Sequence, residues 1–222
     1  TLALMQQRQT TLAVANAAKG QFQVLPQMFA TELHNLTVGI IGTGRIGQAE
    51  AELWRGVGAT VLGYDVYQND KAKELLTYVS EDELLAKSDI VSLHVPHFPG
   101  KNDAYFDASY VTKMKDGAVL VNTARAEITD QDAILAGVEV GKLRGFATDV
   151  IADECHYFGK NFQGESTGNA TVDKMMALYP QVIVTPHMGS YTEEALMDMI
   201  AISFENFNDV LTTGTSRNLV EV

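Results

Sequence analysis

Three glycines at the end of an apolar run constrain this chain more than any other feature. "TVGIIGTGRIGQAEAEL" runs from Thr37 to Leu53, and Gly42, Gly44 and Gly47 stand where the apolar run gives way to a helical pattern. The first glycine of such a turn lets the chain reverse tightly. The second brings backbone close to a phosphate, and the third lets the helix lie close against the strand. The N–H groups at the helix start, around Arg45 and Ile46, then face an anion, and the helix dipole favours negative charge there. The next strand, "TVLGYD", ends in Asp65. A carboxylate at that distance accepts hydrogen bonds from ribose hydroxyls and repels a 2′-phosphate. No Arg lies between 66 and 70, so the spacing points to NAD rather than NADP.

The rest of the chain repeats that alternation. Short apolar or β-branched runs at Val38–Ile41, Thr60–Gly63, Ile90–Leu93, Ala118–Val121, Gly145–Thr148 and Val182–Thr185 read as strands. Helical patterns at Ile46–Val57, Ser80–Lys87, Asp107–Met114 and Asp130–Ala136 lie between several of them. Strands alternating with helices predict an α/β fold: a doubly wound parallel sheet forming a Rossmann-type nucleotide-binding domain. Cys155 to Pro180 reads as an exposed loop with a short helix near Asp173–Leu178. The opening residues read as one helix already in progress, without a cap. Near the other end, Thr192 caps a long helix whose face carries Leu196, Met199, Ile200, Phe204, Phe207 and Leu211, and Gly214 follows it.

Charge and composition exclude several classes. The net charge is −12, from 16 basic and 28 acidic residues. No basic stretch offers a nucleic-acid footprint, so no nucleic-acid partner is expected. No run approaches the roughly 20 apolar residues that a membrane helix needs, so no membrane partner is expected either. The single cysteine, Cys155, allows no internal disulfide, which fits a reducing, cytoplasmic location. Cys155 and His156 lack further ligands at metal-binding spacing, so no metal site is expected.

Four polar groups fall directly after predicted strands. They are His94-Val95-Pro96, then Asn122-Thr123-Ala124-Arg125, then Asp149 with Glu154, and last Pro186-His187. In an open parallel sheet the ligand lies beyond the carboxyl ends of the strands, so these groups are candidates for one cleft. A lone Arg after a strand is more often a surface ion pair, and a lone His after Pro more often a loop residue.

Taken in order, however, the glycine turn, "NTAR", "TDVIADE" and "TPH" resemble the D-isomer-specific 2-hydroxyacid dehydrogenases, closest to the D-lactate and D-2-hydroxyisocaproate branch. The resemblance spans nearly the whole chain. It implies hydride transfer between NAD(H) and a small 2-oxo or 2-hydroxy acid, with Arg125, Glu154 and His187 as catalytic residues. Arg125 would hold the substrate carboxylate in a bidentate fork and polarise the neighbouring carbonyl. His187 would give or take the proton. Glu154, ionised, would favour the imidazolium and fix its orientation. Asp149 would accept from the nicotinamide carboxamide. Val95, Pro96, Thr123 and Ala124 would line the cofactor, with His94 a cofactor-loop residue rather than an acid.

The resemblance also implies a domain plan. Residues 1–190 would be the NAD-binding domain, with a dimerisation segment at its start. Residues 191–222 would be a helix that packs on a substrate domain, and the N-terminal substrate domain itself is absent from the chain. A homodimer is implied, through the opening helix and "QFQVLPQMFATEL". Two alternatives stay open: a cofactor-binding fragment without activity of its own, and an NAD-sensing corepressor-like protein on the same fold.

Overall fold

The computed structural model describes residues 1–219, so the last three residues of the 191–222 segment lie outside the described residues. The chain divides into two compact units, Thr1–Pro186 and a second that begins at His187.

The first unit is built on seven parallel strands. They are β1 (Thr37–Ile41), β2 (Thr60–Tyr64), β3 (Thr77–Tyr78), β4 (Ile90–Leu93), β5 (Ala118–Asn122), β6 (Leu143–Thr148) and β7 (Val182–Val184). Their order is β3-β2-β1-β4-β5-β6-β7. The order reverses between β1 and β4, which makes that boundary the switch point of the sheet.

The burial explains why these strands read as continuous apolar runs. Ile41, Leu93, Leu120 and Phe146 feed one core, while Val38, Ile40, Ile90, Val119, Val121 and Ala147 feed another. Alternate side chains along a strand point to opposite faces, so a sheet covered on both sides needs apolar residues at every position. The predicted doubly wound parallel sheet is what the chain forms.

Helices cover the two faces: α1 (Leu2–Arg8), α2 (Thr10–Ala18), α3 (Arg45–Gly56), α4 (Asp70–Lys73), α5 (Glu81–Lys87), α6 (Ala108–Lys113), α7 (Gln131–Glu139) and α8 (Ala170–Ala177). Side-chain caps start several of them. Ser80 accepts from Glu83 N at 3.3 Å, Asp130 from Ala133 N at 3.0 Å, and Asn169 from Thr171 N at 2.9 Å.

Several elements differ from the sequence reading. The short α4 has no counterpart in it, α8 begins at Ala170 rather than near Asp173, and two further differences concern α1 and β3. The opening helix is not continuous: Gln9 adopts φ 49° and ψ 39°, which ends α1 and starts α2. Gln6, Gln7 and Gln9 are all buried there, and Gln6 Nε2 donates to the Gln181 carbonyl at 3.1 Å. Gln9, at the break, donates from Nε2 to the Gln6 carbonyl at 3.0 Å, closing the turn from inside. The second difference is the edge strand β3, two residues long and too short to show any periodicity.

The second unit contains α9 (Glu193–Thr213). Thr192 caps it by accepting from Ala195 N at 3.2 Å, and Gly214 ends it at φ 78°. None of its residues is buried.

Candidate active site

The predicted site residues of the first unit lie along the carboxyl edge of the sheet. Asp65 follows β2, the glycine turn follows β1, and His94-Val95-Pro96 follows β4. Thr123, Ala124 and Arg125 follow β5, and Asp149 with Glu154 follows β6. With strands about 4.8 Å apart, β2 to β6 spans roughly 19 Å, enough for an extended dinucleotide laid across the switch point.

The glycines carry separate duties. Gly42 has φ +94°, and a Cβ there would lie 2.6 Å from the His94 carbonyl carbon and 2.9 Å from Val95 N. The turn therefore sits directly against the loop after β4. A Cβ on Gly47 would lie 2.1 Å from the Gly42 carbonyl oxygen, so α3 can approach β1 this closely only without a side chain. A Cβ on Gly44 would meet nothing within 4 Å. Gly44 faces open space at the start of α3, beside exposed Arg45 and Ile46, and that is where a pyrophosphate fits.

Asp65 is held in advance of any ligand. Its Oδ2 accepts from Thr43 N at 2.7 Å and from Thr43 Oγ1 at 3.2 Å, and its Oδ1 accepts from Tyr67 N at 3.0 Å. Tyr78 OH lies 2.6 Å from Thr43 Oγ1 and accepts from Asn69 N at 3.0 Å. One proton assignment satisfies every group. Tyr78 donates to Thr43, and Thr43 donates to the carboxylate. Oδ1, a carboxylate oxygen, can accept a second hydrogen bond.

Beneath the turn lies a second polar cluster. Glu50 of α3 accepts from Trp54 Nε1 at 2.9 Å through Oε1, and from Ser92 Oγ at 2.8 Å through Oε2. His94 Nε2 lies 2.5 Å from the same Oε2. Burial raises the Glu50 carboxyl's proton affinity, but the bonds from His94, Trp54 and Ser92 outweigh it and hold the group below its ordinary value.

The ends of β5 and β6 are different. Arg125 is exposed, and its Nη1 donates to the adjacent Ala124 carbonyl at 2.7 Å. Its backbone is fixed by Asn122, whose Nδ2 donates to the Arg125 carbonyl at 2.8 Å and whose Oδ1 accepts from Ala124 N at 3.0 Å. Thr123 is exposed at the same turn. Asp149 is buried, with Oδ1 accepting from Thr185 Oγ1 at 2.5 Å and its N–H donating to the Asn122 carbonyl at 3.1 Å. Glu154 is half-buried at the start of a short 3-10 turn, Glu154–His156, entered through Asp153 at φ 54°. His187 opens the second unit with φ 52° and is exposed. The first unit thus brings Arg125, Asp149 and Glu154 to neighbouring strand ends, while His187 belongs to the other unit. Among the described residues no group of three or more His, Cys, Asp or Glu could hold a metal ion.

Residues 1–189 match the family model of the D-isomer specific 2-hydroxyacid dehydrogenase, NAD binding domain. The chain belongs to this family. A D-lactate dehydrogenase from Treponema pallidum is 42% identical over 193 residues, which is 87% of this chain and 58% of that protein. An aromatic 2-oxoacid reductase from Clostridium sporogenes is 36% identical over 98% of this chain and 65% of its own length. Among solved structures, D-lactate dehydrogenase with NAD+ from Lactobacillus jensenii superposes with a TM-score of 0.88 at 32% identity, covering 100% of this chain and 66% of that one. The chain therefore spans less than two thirds of the length of these relatives. Its cofactor is the family's, NAD, and the open Gly44 cradle and the braced Asp65 both fit that group.

Sequence reasoning passed over Glu50 and Tyr78. Glu50 reads as one more solvated charge on α3, and Tyr78 stands in a segment with no visible period. Only the sheet order reveals what each one touches.

Proposed function

We propose that this protein reduces a 2-oxo acid to a D-2-hydroxy acid of the D-lactate type. Bound NADH would supply the hydride. Arg125 holds the substrate carboxylate and polarises the adjacent carbonyl, because its planar fork matches a carboxylate. His187 donates the proton to the carbonyl oxygen, and Glu154 orients its ring. Asp149 accepts from the nicotinamide amide and so orients the ring. Thr123, Ala124, Val95 and Pro96 line the cofactor between Gly44 and Asp149. The observation that carries this reading is the order of groups along the carboxyl edge. A carboxylate held by Thr43 and Tyr67 follows β2, an open glycine turn follows β1, and a guanidinium and two carboxyls follow β5 and β6.

The proposed assembly is a homodimer. It is supported by the segment after α2, where Phe22, Val24 and Phe29 are 82%, 88% and 85% exposed. Such apolar exposure is unusual on a monomer. Arg144 pins that segment by donating from Nη2 to the carbonyls of Gln27 at 3.0 Å and Phe29 at 2.8 Å. The proposed location is cytoplasmic, with no nucleic-acid or membrane partner. Among the described residues no helix is long and apolar enough to cross a membrane.

A second reading, that this chain binds the dinucleotide without turning over substrate, draws on its covering 58% of the Treponema relative. Intact mass, NADH binding, and NADH oxidation with pyruvate and 4-methyl-2-oxopentanoate separate the two. Turnover supports the first reading, and the ratio of rates ranks the substrates. Binding without turnover supports the second. Failure to bind NADH overturns both.

A further inference from the structure

We propose that Glu50 is a positioning residue for the cofactor cleft, acting through His94. The inference rests on the reading above that the cleft takes NAD(H). The two lips of the cleft are the glycine turn after β1 and the loop after β4. They meet backbone to backbone, where Gly42 has no room for a Cβ against the His94 carbonyl. His94 N also donates to the Ile41 carbonyl at 2.7 Å. Any shift of His94 is therefore felt by the turn that cradles the phosphates.

Glu50 supplies the brace. It stands on α3, the helix that the glycine turn opens, and its carboxylate crosses to β4. There it meets Ser92 at 2.8 Å and His94 at 2.5 Å. The His94 and Glu50 side chains are only 5% and 21% exposed. A buried carboxylate is costly unless donors surround it, and here three do, from Trp54, Ser92 and His94. Simple packing of α3 on the sheet needs no such group. An apolar side chain of similar volume often serves stability as well as a buried ion pair does. The carboxylate adds direction instead. By engaging Nε2 it fixes the plane of the His94 ring, and with it the backbone on which Gly42 rests. Trp54, the single tryptophan of the chain, donates to the same carboxylate and so reports on it.

The test uses the full chain and NADH titrated by calorimetry, with tryptophan emission recorded alongside. Glu50→Gln keeps the shape but leaves one acceptor oxygen for three donors. It is expected to weaken NADH binding about tenfold, the effect of losing a charge-assisted hydrogen bond. His94→Asn is expected to weaken it by a similar factor. The double variant is expected to be no worse than the weaker single, because both changes break one brace. His94→Asn is also expected to shift the Trp54 emission, although the Trp54 hydrogen bond is to Glu50, because the signal passes through that carboxylate. An affinity of Glu50→Gln within twofold of wild type, with only the melting temperature lowered, overturns the proposal. So does a double variant whose loss is the product of the two singles. If Glu50→Gln does not fold, Ser92→Ala removes one donor and leaves Glu50 and His94 in place. About threefold weaker binding is then expected, and unchanged binding overturns the proposal. A wild-type chain that fails to bind NADH removes the reading beneath it, and that shows before any variant is compared.

Discussion

The two ends of the cleft are built differently. At the proposed adenosine end, the candidate polar groups are hydrogen-bonded within the first unit. Asp65 is held by Thr43 and Tyr67, Thr43 by Tyr78, and His94 by Glu50. At the proposed substrate end, Arg125 is exposed and donates to its own neighbour's carbonyl, and the proposed proton donor His187 belongs to the other unit. The side chains around Asp65 are held before a ligand arrives, whereas the Arg125 guanidinium is exposed on a backbone fixed by Asn122. Preorganisation lowers the ordering cost of binding. Cofactor affinity is therefore expected to be a property of the first unit, and turnover to depend also on His187, which that unit does not hold.

The largest expected effect is at the substrate end. His187→Gln should lower kcat for pyruvate reduction by about a hundred- to ten-thousand-fold, the usual contribution of a general acid. Calorimetric affinity for NADH should stay within twofold of wild type. Arg125→Ala should raise KM and lower kcat/KM by roughly a hundredfold or more, since a bidentate charged pair is lost, again without changing NADH affinity. If either variant loses NADH binding, the division between the two ends fails.

Changes at the adenosine end should do the reverse. Asp65→Asn is expected to weaken NADH about tenfold and to narrow the gap to NADPH, since the repelling charge is gone. Tyr78→Phe removes one neutral hydrogen bond at the far end of the chain leading to Asp65. A loss of about threefold in NADH affinity is expected, and none in the Asp65→Asn background.

The smallest effect is on acid stability. Glu50 titrates below its ordinary 4.5 in the fold, because the donors around it outweigh the burial that raises it. A depressed carboxyl stabilises the native state above its unfolded pKa, and that stability is lost as pH falls through the folded value. Wild type should therefore lose melting temperature more steeply than Glu50→Gln below about pH 4.5, while their slopes match near neutrality.

Much of this was legible in the sequence because burial on both faces leaves a strong mark. "VGII", "IVSL" and "AVLV" contribute to two cores at once, so they read as unbroken apolar runs. The glycine turn was legible for a steric reason, since each of Gly42 and Gly47 is forced by a backbone atom that a Cβ would strike. The edge strand β3 was not legible, because Thr77 and Tyr78 are too few to show a period. The break at Gln9 was not either, because a left-handed residue between two helices usually announces itself as Gly or Asn. Glu50 stayed hidden for a different reason. Its partners Ser92 and His94 lie 42 and 44 residues away, and only the pairing of β1 with β4 brings them under α3. The candidate residues read from motif order stand after strands, whereas Glu50 and Tyr78 meet their partners only through the register of the sheet.

The most direct test is calorimetric titration of the chain with NADH and, separately, with NADPH. A cleft braced around Asp65 predicts saturable binding of NADH at one site per chain, with NADPH at least about tenfold weaker because its 2′-phosphate meets an ionised carboxylate. Equal affinity for the two, or no binding of NADH, would contradict a site preorganised to read the ribose.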